Sequence, residues 1–367
     1  MGARSVIDFE PSDEQQLIVE TLHQFAAREI RPRARACDES GALPHDVLHA
    51  AQALGLVTNA LDAAAGGDGD GRAVTAALIA EELAWGDLAI GCAILSPQLL
   101  ALPIADHGSQ AQQARWLPAF QGERFVPGAL AVLEPGFGAD VFAPATRAQR
   151  DGEAWLLDGD KCLVPWIEGG EHVLVTASSE AGARGFVVAR DAPGLSATPE
   201  RNLGLAGLPT VALSLQRVRV PEADALACDD GRSVRRVLTR ARVGLAAAAV
   251  GVARAAYEIA RDYAKERHAF GAPIATKQAI AFRLADMAIE IDAARLLTWE
   301  AAWRLDQGDD AEREAALAQQ QTRRVALEVA DGAVQVLGGY GYIRDQLPEM
   351  QLRNARGFAC FEGLALV

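Results

Sequence analysis

The sequence predicts an α+β multidomain chain: an N-terminal all-α helical domain over residues 1–123, a middle antiparallel β-barrel or sandwich over 124–229, and a C-terminal four-helix bundle over 230–367. Two observations carry this. Composition changes near residue 125 and again near 230. At each change the hydrophobic period switches, from a helical step to alternation and back.

In the first segment Ser12, ahead of Asp13 and Glu14, reads as an N-cap, and Leu17, Leu22, Phe25 and Ile30 continue an apolar face as far as Arg31-Pro32, where proline is expected to close the helix. Further helices are expected over 46–53, 73–83 and 109–120, and the glycine run from Gly66 to Gly71 reads as a plain flexible loop. In the middle segment Asp158-Gly159 between Trp155-Leu156-Leu157 and Lys161-Cys162-Leu163-Val164 is a hairpin signal. Runs at 172–177, 185–189 and 210–220 add strands. Val211, Leu213 and Leu215 share one parity and Val218 and Val220 the other, so a bulge near Gln216-Arg217 is expected. The last segment carries helical stretches at 243–267, 277–306, 310–337 and 351–361. Ile280, Leu284, Met287, Ile291 and Ala294 form the seam of antiparallel helices packed at shallow angles.

Composition excludes several classes. Against 35 Lys and Arg stand 49 Asp and Glu, a net charge of −14, which makes nucleic acid an unsuitable partner. The cysteines at 37, 92, 162, 228 and 360 show neither CxxC spacing nor clustering with histidine, so no metal site or disulfide framework is expected, and reduced cytoplasmic thiols fit. The acidic N-terminus does not read as a signal peptide, and no run of about 18 uncharged apolar residues is expected to span a membrane. Phosphate-loop, zinc-protease and serine-hydrolase motifs are absent.

Three constellations remain. Leu133-Glu134-Pro135-Gly136-Phe137-Gly138-Ala139-Asp140 allows a tight turn and close backbone approach to a flat ligand, or is a structural turn; Asp140 can hold it by accepting amide hydrogens. Arg267, Phe270 and Gly271, with Gln278 beyond, suit a pyrophosphate with an attached ring, or form a C-capping turn with a solvated arginine. Gln335 to Tyr342, with Gly338 and Gly339, is followed by Arg353-Asn354-Ala355-Arg356 and then Phe361-Glu362-Gly363, where a lone carboxylate between an aromatic and a glycine could hold a raised pKa as a general base. A helix C-cap and a surface glutamate are the alternatives.

In this order and at these intervals the motifs resemble the acyl-CoA dehydrogenase family over nearly the whole chain, most specifically in Arg267, Phe270, Gly271 and Gln278, in Leu284 to Met287, and in Gln335 to Tyr342. The resemblance implies FAD bound between the β domain and the bundle, and fatty-acid metabolism as the setting. It implies oxidation of an acyl-CoA, or acyl-phosphopantetheine, thioester to the trans-2-enoyl product, with reoxidation by an electron-transfer flavoprotein or another acceptor. It assigns Glu362 as base and Arg242, Phe361 and Gly363 to substrate; Ala241 stands where some relatives carry the base instead. It assigns Arg267, Phe270 and Gln278, with Gln335, Gly338 and Gly339, to the adenosine pyrophosphate of FAD. These two groups would come from different subunits of a homodimer or dimer of dimers (a homotetramer), or of a heteromer. Departures cluster at the ring: Leu133, Ala139, Leu163 and Pro165 stand where the family usually has threonine, serine, tryptophan and threonine, and each lost hydrogen bond is expected to weaken or retune flavin binding by about 1 kcal/mol. Leu364 replaces a threonine, and the sequence stops at Val367 before the helix that commonly follows. A noncatalytic or half-site partner subunit with a degenerate flavin pocket is the rival reading.

Overall fold

The computed structural model describes residues 7, 9–69, 71–227 and 231–367. Among the described residues nine α-helices precede the sheet: α1 Asp13–Phe25, α2 Ala34–Ser40, α3 His45–Gln52, α4 Leu56–Ala60, α5 Ala73–Gly86, α6 Leu88–Leu95, α7 Gln98–His107, α8 Gln110–Trp116 and α9 Pro118–Gln121. Ser12 caps α1 by accepting from the Gln15 amide, and the Gln15 side chain returns the bond to the Ser12 amide. Pro32 does not end the helical path. A π turn over Ala26–Ile30 and a 3-10 turn over Arg31–Arg33 carry the chain into α2, because proline is tolerated in the first turn of a new segment. The glycine loop is packed rather than open: a Cβ at Gly67 or Gly69 would meet backbone of Leu61 or Asn59.

Two helices, α6 and α7, escape periodicity because they are apolar on every face and buried. They also correct the membrane expectation. Leu88–His107, like Arg232–Glu266, is long and apolar enough to cross a bilayer, yet both are mostly buried inside the protein. Asp87 caps α6 by accepting from the Ile90 amide at 2.9 Å, and burial pushes its carboxyl up to about 6. A carboxyl raised by folding stabilises the fold below its unfolded pKa and loses that contribution as pH rises through the folded value. Asp87→Asn keeps the cap acceptor without the charge. Its stability relative to the parent should therefore grow between pH 4 and pH 7, by on the order of 2 kcal/mol, in urea unfolding at the two pH values.

The middle domain is one curled, mostly antiparallel sheet of seven strands: β1 Leu130–Ala131, β2 Arg147–Asp151, β3 Ala154–Pro165, β4 His172–Ser179, β5 Gly182–Ala189, β6 Leu195–Pro199 and β7 Thr210–Pro221. Their order is β1-β4-β2-β3-β7-β6, with β5 on β4 and a parallel β1–β4 pair. Asp158-Gly159 is no hairpin turn. It lies inside β3, where Gly159 (φ +148°) passes so close to Thr146 that a side chain could not fit. The hairpin turns at Gly152-Glu153, between Asp151 and its partner Ala154. The bulge in β7 is present: Leu157 pairs with Val218 and Gly159 with Leu215, and the Arg217 amide (φ +51°) donates to Asp158. Both parity sets are therefore buried.

The bundle comprises α10 Arg232–Glu266, α11 Gln278–Asp306, α12 Glu312–Leu337 and α14 Pro348–Gly357, with the short α13 Gly339–Tyr342. Helix α10 begins a full three turns before the expected position. Its apolar stripe, Val234, Val237, Leu238 and Ala241, is interleaved with Arg232, Arg235, Arg236 and Arg240, which hide the period. Leu284, Met287, Ile291 and Ala294 of the α11 seam are buried.

Candidate active site

Residues after α14 build the centre. Phe361 is buried, and Glu362 follows it at 9% exposure. Gly363 adopts φ +70° and lies against Leu130 and Val132 of the β1 segment, so a side chain there would be both strained and crowded. Leu364 to Val367 are buried without regular secondary structure. Gly244 of α10 lets that segment approach: a Cβ at 244 would sit 2.7 Å from the Ala365 carbonyl oxygen. Arg240 Nε donates to the Val367 oxygen.

Around Glu362 the structure gathers more than the sequence indicated. Gln319 Nε2 on α12 donates to Oε2 at 3.0 Å. Arg242 Nε on α10 stands 3.8 Å, and Arg323 Nη2 on α12 3.6 Å, from Oε1. The carboxylate is thus not alone between an aromatic and a glycine. Arg242 also lies 4.7 Å over the ring of Phe142, just past the β-domain loop. Gln319 and Arg323 carry no sequence signal: mid-helix glutamine and arginine read as a solvated face, and only the return of the chain after α14 brings Glu362 to them.

The loop 133–140 is held by a buried ion pair. Lys161 Nζ, fully buried, donates to Glu134 Oε1 at 2.9 Å and lies near the Val132 carbonyl and Thr176 hydroxyl. Glu134 also accepts the Ala145 and Thr146 amides. Burial pushes the Glu134 carboxyl up, but the hydrogen bonds from Thr146 and Lys161 outweigh it and hold it below its usual range. Asp140 accepts the Phe142 amide at 2.9 Å, the loop-fixing role read from the sequence. Leu133 and Leu163 come together where the Cys162 amide donates to the Leu133 carbonyl. Leu163 has φ +55°, and its amide is engaged by Glu200 at 2.9 Å; Pro165 has no amide hydrogen and is buried, while Ala139 is exposed. This wall is apolar and poor in free donors.

A cleft of about 470 Å³ is lined by Tyr263, Arg267, Ile274, Val336, Leu337, Gly338 and Gly339 among others. Arg267 ends α10, and Phe270-Gly271 turns the hairpin of His268–Ala269 and Ala272–Pro273 with φ +54° and +79°. That turn leaves Phe270 97% exposed. Gln278 opens α11, and Gln278 and Gln335 are both exposed. Nothing lies within 4 Å of a Cβ built on Gly338 or Gly339, so a ligand can approach their backbone. Arg267 and Gly338–Gly339 line one cleft of a single chain. Arg353 pairs with Asp38 and Glu349, and Asn354 accepts the Leu205 amide, so these two serve the fold. Among the described residues no group of histidine, cysteine and carboxylate side chains could hold a metal ion.

The buried, cation-flanked Glu362 and the open glycine cleft of the bundle agree with the class that the sequence resembles, flavin-dependent acyl-thioester oxidoreductases. The chain belongs to the acyl-CoA dehydrogenase family, matching the family's N-terminal domain over residues 12–123, its middle domain over 129–218 and its C-terminal domain over 229–365. It is 33% identical to a 3-(aryl)acrylate reductase of Clostridium sporogenes, over 97% of this chain and 96% of that protein. It is 32% identical to the human mitochondrial short-chain specific acyl-CoA dehydrogenase, over 95% and 86%. Among solved structures, butyryl-CoA dehydrogenase of Megasphaera elsdenii superposes with a TM-score of 0.89 at 29% identity, covering 97% of this chain and 96% of that one.

The family is FAD-dependent. The residues present fit the adenosine-pyrophosphate half: the Arg267 guanidinium and two open glycines line one cleft, and the exposed ring of Phe270 follows three residues after Arg267. Arg267→Ala should therefore raise the dissociation constant for FAD roughly tenfold or more, the loss of one charge-assisted hydrogen bond, read as flavin released on gel filtration.

Proposed function

We propose that the protein removes hydrogen across Cα–Cβ of an acyl-CoA thioester, with Glu362 taking the α proton. The position of that carboxylate carries the reading: buried, held by Gln319 and set one residue from Gly363 on the β1 wall. Bound FAD supplies the acceptor for the hydride that leaves Cβ. The chain's residues do the rest. Glu362 Oε1 or Oε2 receives the proton from Cα as the electron pair of that bond becomes the new double bond. The Glu362 amide would donate to the thioester carbonyl and stabilise its developing negative charge. The buried segment after Gly363 keeps water from the base. Arg267, Phe270, Gln278, Gln335, Gly338 and Gly339 would hold the cofactor's adenosine pyrophosphate, and Leu133, Leu163 and Pro165 would back its ring. Retention of a positioned base argues against a partner subunit without chemistry.

The outer face of α11, where Phe282 and Ile289 are 60% and 65% exposed and Leu296 continues the seven-residue spacing, supports a homodimer or dimer of dimers. Electrons would leave through an electron-transfer flavoprotein or another acceptor. Absorbance tests the reading: the purified protein should show flavin bands near about 370 and 450 nm that bleach on anaerobic addition of an acyl-CoA. A colourless protein that refuses added FAD would overturn it.

A further inference from the structure

Glu362 faces more positive charge than it neutralises. Arg242 and Arg323, from two different helices, approach the same oxygen, Oε1, at 3.8 and 3.6 Å. Both separations exceed hydrogen-bond range. The Nε atoms of both arginines are buried without a hydrogen-bond partner. Their side chains are 15% and 31% exposed, so water screens them only in part. One carboxylate against two guanidiniums leaves a net charge of +1, with a buried Nε on each arginine that has no acceptor. Such a site is costly unless a ligand completes it. A thioester carbonyl is a single neutral acceptor and cannot satisfy two forks, whereas a carboxylate matches guanidinium geometry with two oxygens.

We infer that the acyl group this site takes is that of a short dicarboxylic acid bound as its monothioester, its free carboxylate gripped by Arg242 and Arg323. The chain must be short because both cations stand at the base itself, which lies beside Cα. The inference rests on Glu362 being the base in the proposed dehydrogenation, and it adds the identity of the acyl group.

The test compares glutaryl-CoA with valeryl-CoA, which share a five-carbon chain and differ in a terminal carboxylate against a methyl group. With an artificial electron acceptor, kcat/KM should favour glutaryl-CoA by roughly tenfold or more, the worth of one charge-assisted pair. Arg323→Met should bring that ratio close to one, whatever becomes of the rate on valeryl-CoA, and Arg323→Lys should leave it between. A ratio near one in the unmodified protein, or a ratio unchanged in Arg323→Met, would overturn the inference, and the second outcome would assign Arg323 to steadying Glu362 alone. If neither thioester is oxidised, the dehydrogenase reading fails separately. The ratio of calorimetric dissociation constants for the two thioesters then decides the acyl preference, a ratio near one counting against it.

Discussion

Glu362→Gln is expected to abolish bleaching of the bound flavin by acyl-CoA while leaving the flavin in place. The amide keeps the shape of the side chain and its bond with Gln319, but it cannot accept the α proton. Loss of a positioned general base lowers the rate by about 10²–10⁴-fold. Stopped-flow absorbance under anaerobic conditions reads this directly, and flavin content of the same sample shows whether the site survived. Bleaching at the parent rate would show that another group removes the proton. Ala241, at the alternative position of the base, offers none.

The second large effect concerns stability. Lys161→Met should destabilise the β domain by about 3–5 kcal/mol, because it leaves the Glu134 carboxylate buried without its cation. The double variant Lys161→Met with Glu134→Gln should recover much of that loss, since no unpaired charge remains. Glu134 fixes the Ala145 and Thr146 amides, so the single variant should also release flavin more readily. The pH dependence has a definite sign. A carboxyl held below its unfolded pKa contributes stability that is complete above the unfolded value, near about 4, and is lost as pH falls through the folded one. Thermal unfolding between pH 7 and pH 3 should therefore show a shallower acid limb for Glu134→Gln than for the parent. An equal slope would place the pair's contribution elsewhere.

What could be read from sequence was local. The bulge in β7 was legible because two parity sets, at 211–215 and 218–220, can share one core only if a residue is inserted between them. The loop fixed by Asp140 was legible because its short acceptor reaches an amide two residues on. The turn at 270–271 was legible as a turn, though its two left-handed residues make a hairpin rather than a simple helix cap. Helices α6 and α7 were not, since a segment buried on all sides has no period to detect. The hairpin was misplaced because Asp151-Gly152 and Asp158-Gly159 carry the same turn chemistry, and only pairing of β3 along β7 decides between them.

The sequence by itself determined the partition into helical, β and helical regions and the family, and it singled out Glu362 as the candidate base, because periodicity and short motifs act over a few residues. Tertiary structure alone decided what that base faces. Arg242, Gln319 and Arg323 lie 39 to 120 residues from Glu362 along the chain, and Lys161 lies 27 from Glu134. Charges that far apart in sequence interact only once packing has brought them within a few ångströms, and no local propensity records that meeting.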